Sequence, residues 1–195
     1  MPQDHPNSLK KLIILTAPSG AGKTSITRYL LDKISTLSFS VSATTRPQRS
    51  YEVNGRDYYF ISEEEFKNKI SNQEFVEWEM VYKGKYYGTL HSELQRIWDQ
   101  DKIPVLDIDV KGAIHVMQQF AGRCLTIFVQ PPSINELQRR LESRGTETME
   151  TLEARLNKAS YELSFSHQFN HIIINENLEK ACTETELIVR NFVSV

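Results

Sequence analysis

The fold is decided by residues 12–25, Leu12-Ile13-Ile14-Leu15-Thr16 followed by Ala17-Pro18-Ser19-Gly20-Ala21-Gly22-Lys23-Thr24-Ser25. Leu12 to Leu15 is a short continuous apolar run, which predicts a strand buried on both faces of a parallel sheet. Residues 17–24 approach the pattern G-x-x-x-x-G-K-[ST], with Ala17 in place of the first glycine. Lys23 to Ile34 then reads as a helix. In that order, strand, Gly-rich turn and helix make a phosphate cradle, with backbone N–H groups and the positive helix end turned toward an anion. Lys23 is placed to reach the β- and γ-phosphates of a nucleotide, and the Thr24 hydroxyl to ligate Mg²⁺. Such a loop by itself leaves kinase, ATPase and GTPase open.

Working outward, Phe39 to Thr44 alternates as a strand and runs into a loop bearing Pro and Arg. Asp57 to Phe60, Phe75 to Tyr82 and Tyr86 to Thr89 are aromatic-rich strand candidates. Between the first two, Ser62 and Glu65 have capping-box spacing for a helix. From Val105 the α/β alternation resumes: strands Val105–Ile108, Leu125–Val129 and His171–Ile174, helices Lys111–Phe120 and Leu178–Phe192. Ser133 and Glu136 form a second capping-box pair, opening a helix to Arg144, and another helix spans about 150–163. Alternating strands and helices predict an α/β fold, a central parallel sheet flanked by helices. The division expected is a loose tail (1–10), a core (11–41, 91–132 and 166–195), an inserted α+β lobe (42–90) and a helical, Arg-rich segment (133–165).

With 195 residues, 39% hydrophobic and 25% charged, the chain has the composition of an ordinary globular protein. A formal charge of −2 gives no broad basic field, so neither nucleic acid nor an anionic membrane is expected as a partner. Phosphate binding must come from a focused site. Cys124 and Cys182 lie far apart, outside any metal-ligand spacing, and read as reduced structural thiols. The polar N-terminus has no apolar stretch for a signal peptide, so a cytoplasmic location is expected. His167 and His171, four apart, read as structural or surface residues.

Several separately spaced stretches resemble the guanylate kinases. They are residues 17–24, Phe39 to Arg49 (FSVSATTRPQR), Val53 to Phe60 (VNGRDYYF), Glu74 to Trp78 (EFVEW), Tyr86 to Thr89 (YYGT), Leu106 to Asp109 (LDID), Arg140 to Glu147 (RLESRGTE) and Ile174-Asn175. The resemblance covers about 12–193 and implies a P-loop NTPase fold with an inserted GMP-binding lobe and a mobile helical lid. It implies transfer of the γ-phosphate of MgATP to GMP or dGMP, with Mg²⁺ as cofactor.

The resemblance also assigns roles. Arg46, Arg49, Tyr58 and Tyr87 fall where the family holds the GMP phosphate, and guanidinium forks and phenols suit a dianion. Glu77 falls where guanine is read. A carboxylate only accepts, and guanine offers N1–H and a 2-amino group side by side, whereas adenine has neither donor on that edge. Ser42 and Thr89 complete the base pocket; Thr89 stands where many relatives have serine. Asp107 and Asp109 end a buried strand, and alternation points them to opposite faces. Asp109 is expected at the base and Asp107 at Mg²⁺ through water. Arg140, Arg144 and Arg155 match lid positions that neutralise the transferring phosphoryl group, and Asn175 is expected at the adenine of ATP. Two alternatives fit parts of the pattern: a non-catalytic guanylate-kinase-like module gripping phosphopeptides, and a kinase for another nucleoside monophosphate. The intact Gly22-Lys23-Thr24 opposes the first, and Glu77 with Ser42 and Thr89 opposes the second.

Overall fold

A computed structural model describes residues 10–143 and 149–194. The first apolar run forms β1 (Leu12–Thr16), buried along its whole length. It is the middle strand of a five-stranded parallel sheet with β2 (Leu37–Phe39), β7 (Ile103–Asp107), β8 (Cys124–Gln130) and β9 (His171–Ile174), ordered β2-β7-β1-β8-β9. Both sheet faces are covered. On one, Ile13, Leu15, Ile127 and Val129 pack against α1 (Lys23–Lys33) and α7 (Leu178–Ser194). On the other, Leu12, Ile14, Leu106 and Phe128 pack against α3 (His91–Trp98) and α4 (Val110–Gln119). Two-sided burial explains why β1, β7 and β8 read as apolar runs.

A second sheet of four strands, ordered β4-β3-β6-β5, is built from β3 (Ala43–Thr44), β4 (Tyr59–Phe60), β5 (Phe75–Tyr82) and β6 (Lys85–Leu90). Its own small core joins Ala43, Phe75 and Leu90 to Phe66 of α2 (Glu63–Ser71). Ser62 caps α2 by accepting from Glu65 N at 3.0 Å, as its spacing predicts. The strand expected over Phe39 to Thr44 is two strands in different sheets. Ser40 N still bonds Val105 O, while Ala43 pairs with Gly88 and Tyr59, so the chain leaves one sheet for the other between them.

The remaining helices are α5 (Ile134–Glu142), capped by Ser133 through Glu136 N at 3.1 Å, and α6 (Met149–Leu163). Leu137 and Leu141 of α5 pack with Leu152, Leu156 and Ala159 of α6. Two expectations fail locally. The strand ends at Asp107, and Asp109 lies beyond it as the N-cap of α4, so strand alternation does not separate the two side chains. His167 sits in a 3₁₀ turn and His171 in β9, so they share no helical face. Most of the expected tail (1–10) and Arg144 lie outside the described residues.

Candidate active site

The loop after β1 turns through two left-handed glycines, Gly20 at φ 95° and Gly22 at φ 99°. Gly22 is the N-cap of α1 and leaves no room for a Cβ beneath Asn175. Asn175 is buried there and donates Nδ2–H to Ala21 O at 2.8 Å, so its amide braces the loop. Arg140 donates to Asn175 O at 2.9 Å and to Glu136 at 3.0 Å, and Arg155 reaches Ser19 Oγ at 3.4 Å. A Cβ on Gly20 would lie 3.0 Å from both Leu137 and Leu141, which places α5 directly against the loop.

Lys23 points across the strand ends. Its ammonium pairs with Asp107 and donates to Ile108 O at 3.2 Å. This pairing was not foreseen from the sequence, where each had a separate task. A divalent cation would meet only hard oxygen donors here, the exposed Thr24 hydroxyl in the first turn of α1 and the Asp107 carboxylate. That donor set suits Mg²⁺ carried in by phosphates, since Mg²⁺ keeps its waters and takes few protein ligands. Among the described residues, no three His, Cys, Asp or Glu side chains converge to hold a metal.

The loop forms one wall of a cleft of about 360 Å³. Ala17 to Gly20 and Gly22 to Ser25 lie on that wall; Glu77 and Tyr87 of the second sheet, with Ser42 and Tyr58 just before β3 and β4, lie on the other, with Asp107 and Asp109 at the floor. Both aspartates therefore face the same space. They still differ: Asp107 is bonded to Lys23, while Asp109 Oδ1 accepts from Gly112 N at 2.9 Å.

Glu77 is 4% exposed and accepts Thr89 Oγ1–H at 2.6 Å. Burial pushes its carboxyl up to about 7, against the pull of the Thr89 hydroxyl. Tyr58 and Tyr87 meet edge to face, 5.9 Å apart, and burial raises the Tyr58 phenol. Arg46 stacks over Tyr58 at 4.9 Å and forks onto Glu52 through bonds of 2.7 and 2.6 Å. Glu52 is itself buried, and the Arg46 fork holds its carboxyl down at about 2. Arg49 is turned outward, bonding Tyr51 OH at 3.0 Å.

Sequence reasoning missed Glu52, Glu79, Lys158 and Glu162. Glu79, Lys158 and Glu162 line the cleft, and Glu162 is 6% exposed with its carboxyl raised by burial. Arg155, Lys158 and Glu162 recur at i, i+3 and i+7, a spacing that places them on one helical face. Glu52, by contrast, lies in a loop with no periodicity to reveal it.

A nucleotide-sized cleft with a P-loop on one wall and a buried carboxylate and two phenols on the other, one of them under a braced arginine, defines a P-loop phosphotransferase that brings two small anionic substrates together. The sequence profile of the guanylate kinase family matches residues 9–191. A guanylate kinase of Bacteroides thetaiotaomicron is 46% identical over 184 residues, covering 94% of this chain and 90% of that protein. One from Porphyromonas gingivalis is 46% identical over 187 residues, 95% of this chain and 100% of that protein. The crystal structure of guanylate kinase from Anaplasma phagocytophilum superimposes with a TM-score of 0.76 at 32% identity, covering 93% of this chain and 85% of that one. The chain belongs to the guanylate kinase family.

Proposed function

We propose a residue-level account of how this chain transfers the γ-phosphate of ATP to GMP, the activity of its family. Residues 42–90 act as the GMP lobe and 133–165 as a lid over a core made of 11–41, 91–132 and 166–195. The observation that carries the reading is Glu77, a buried acceptor bonded to Thr89, facing the P-loop across one cleft.

Guanine presents N1–H and its 2-amino group to Glu77, with Ser42, Thr89 and Asp109 closing the base pocket. The GMP phosphate lies toward Tyr58, Tyr87 and Arg46, and Arg49 swings in from its outward position to join them. Glu52 keeps the Arg46 fork oriented. ATP phosphates lie along the N–H groups of residues 17–25 with Lys23 over the β- and γ-positions, which requires Lys23 to leave Asp107. Thr24, with Asp107 through water, would hold Mg²⁺, which supplies positive charge to the phosphates. Asn175, bonded to the loop and to Arg140, sits at the adenine end.

The attacking GMP oxygen is already anionic, so no general base is needed. Alignment and charge neutralisation carry the reaction. As the lid closes, Arg140, leaving Asn175 O, and Arg155 supply positive charge to the transferring group, a role that the family resemblance also gives Arg144, and closure keeps water away. The test is an acceptor panel in a coupled ADP assay with MgATP. GMP and dGMP should be phosphorylated and AMP, CMP and UMP turned over at least about 10³-fold less efficiently, because adenine leaves the buried carboxylate unpaired. Equal turnover of AMP would overturn the role of Glu77.

A further inference from the structure

We infer that Gly112, in the first turn of α4, is a specificity-determining residue, because its missing side chain is the space in which the Glu77 carboxylate lies. A Cβ built on Gly112 would stand 2.6 Å from Glu77 Oε2, 3.2 Å from Glu77 Cδ and 3.2 Å from Asp109 Oδ1. Ordinary contact needs about 3.4 Å or more, so the carboxylate would have to move by several tenths of an ångström. It has little freedom to do so. Oε1 is held by Thr89 Oγ1 at 2.6 Å, and the side chain is almost wholly buried.

Gly112 also fixes the second carboxylate of the base pocket, since its N–H is bonded to Asp109 Oδ1 at 2.9 Å. One residue thus sets both: its backbone donor holds Asp109 as the helix cap, and its bare Cα admits Glu77 to the positive end of α4. Backbone conformation gives no reason for a glycine, because φ at 112 lies outside the left-handed region and the residue is helical. Alanine is intrinsically the better helix former there. The requirement for glycine comes from the neighbouring carboxylates.

The inference rests on the reading of Glu77 as the guanine acceptor, and a double-mutant cycle separates the two. Gly112→Ala should raise KM for GMP about tenfold or more, the loss of about one charge-assisted bond. KM for MgATP should stay within about twofold, and the preference for GMP over inosine monophosphate, which keeps N1–H but lacks the 2-amino group, should fall. In a Glu77→Ala background the 2.6 Å contact is gone and only the looser 3.2 Å approach to Asp109 Oδ1 remains, so Gly112→Ala should change KM for GMP by no more than about twofold. Unchanged KM and unchanged GMP preference in Gly112→Ala, or additive losses in the cycle, would overturn the inference. If Gly112→Ala alone fails to fold, the double variant decides: folded with the KM of Glu77→Ala supports the inference, and unfolded overturns it. If Glu77→Ala itself leaves the choice between GMP and AMP unchanged, it is the reading of Glu77 that falls.

Discussion

Glu77 is needed as a carboxylate, yet burial in the ligand-free protein holds its carboxyl at about 7. The conflict has a measurable sign. A folded-state value above the ordinary 4.5 means that the free protein keeps a proton the unfolded chain would release. The stability this group contributes is therefore full below about 4.5 and lost as pH rises through 7. Guanine reverses the preference, because two donors facing the carboxylate favour its charged form. GMP binding at pH 7 should release a fraction of a proton from Glu77, seen as a dependence of calorimetric enthalpy on the buffer's ionisation heat. KM for GMP should climb about tenfold per unit below pH 7, with KM for MgATP flat. Glu77→Gln should abolish this proton release and raise the melting temperature of the free protein at pH 8. Buffer-independent enthalpy in the unsubstituted protein would refute the account. At this scale the sequence exposed residues that belong to ordered motifs, such as Lys23, Arg46 and Glu77. It hid the partners that tune them, because Glu52 and Gly112 are recognisable only once the chain brings them within bonding or contact distance.

Strands β1, β7 and β8 were legible because two-sided burial writes each as an apolar run, and Ser62 and Ser133 mark the starts of α2 and α5. Strand β2 overlaps only at Phe39 with the strand expected there, and β9 reads as apolar although three of its four residues are exposed. The second sheet was legible in part: β3 and β4 have two residues each, too few for alternation to show where a strand begins. Helix α3 went unread, although Leu94 and Ile97 are both buried and recur with helical spacing. This helix carries Glu93, 2% exposed, whose Oε1 accepts from Val41 N at 2.9 Å and whose Oε2 accepts from Tyr59 OH at 3.0 Å. Arg96 forks onto the same carboxylate at 2.9 and 2.7 Å. Val41 is where the chain leaves the main sheet and His91 is where it returns, so Glu93 ties the two crossings to Tyr59 of the second sheet. Glu93→Gln replaces one accepting oxygen by a donor and removes the charge. It should cost about 2 kcal/mol, lowering the melting temperature by roughly 4–8 °C. KM for GMP should rise more than KM for MgATP, since the ties hold the second sheet to the core. A melting temperature within about 1 °C of the unsubstituted protein would remove Glu93 from this role.

For the whole molecule, the question is whether the two walls of the cleft bind their nucleotides separately and act together only when both are filled. Each has its own support. The P-loop is braced from below by Asn175 and from the side by Leu137 and Leu141. The GMP wall is braced by Glu52, Thr89 and the Phe66 core of the second sheet. Lys23 belongs to the first wall but is parked on Asp107 at the floor, next to where the acceptor phosphate would lie. Lys23→Ala should therefore abolish turnover, by about 10³-fold or more, through loss of charge at the transferring phosphoryl group. It should weaken GMP only about fivefold, the effect of leaving the partly exposed Asp107 unpaired near the acceptor phosphate, a disturbance of about 1 kcal/mol. Titration calorimetry of GMP against the variant separates the two effects. Affinity within about tenfold of the unsubstituted protein fits two separately built walls. Complete loss of GMP binding would mean that the acceptor wall takes its shape from the P-loop, and the division into core and GMP lobe would have to be abandoned.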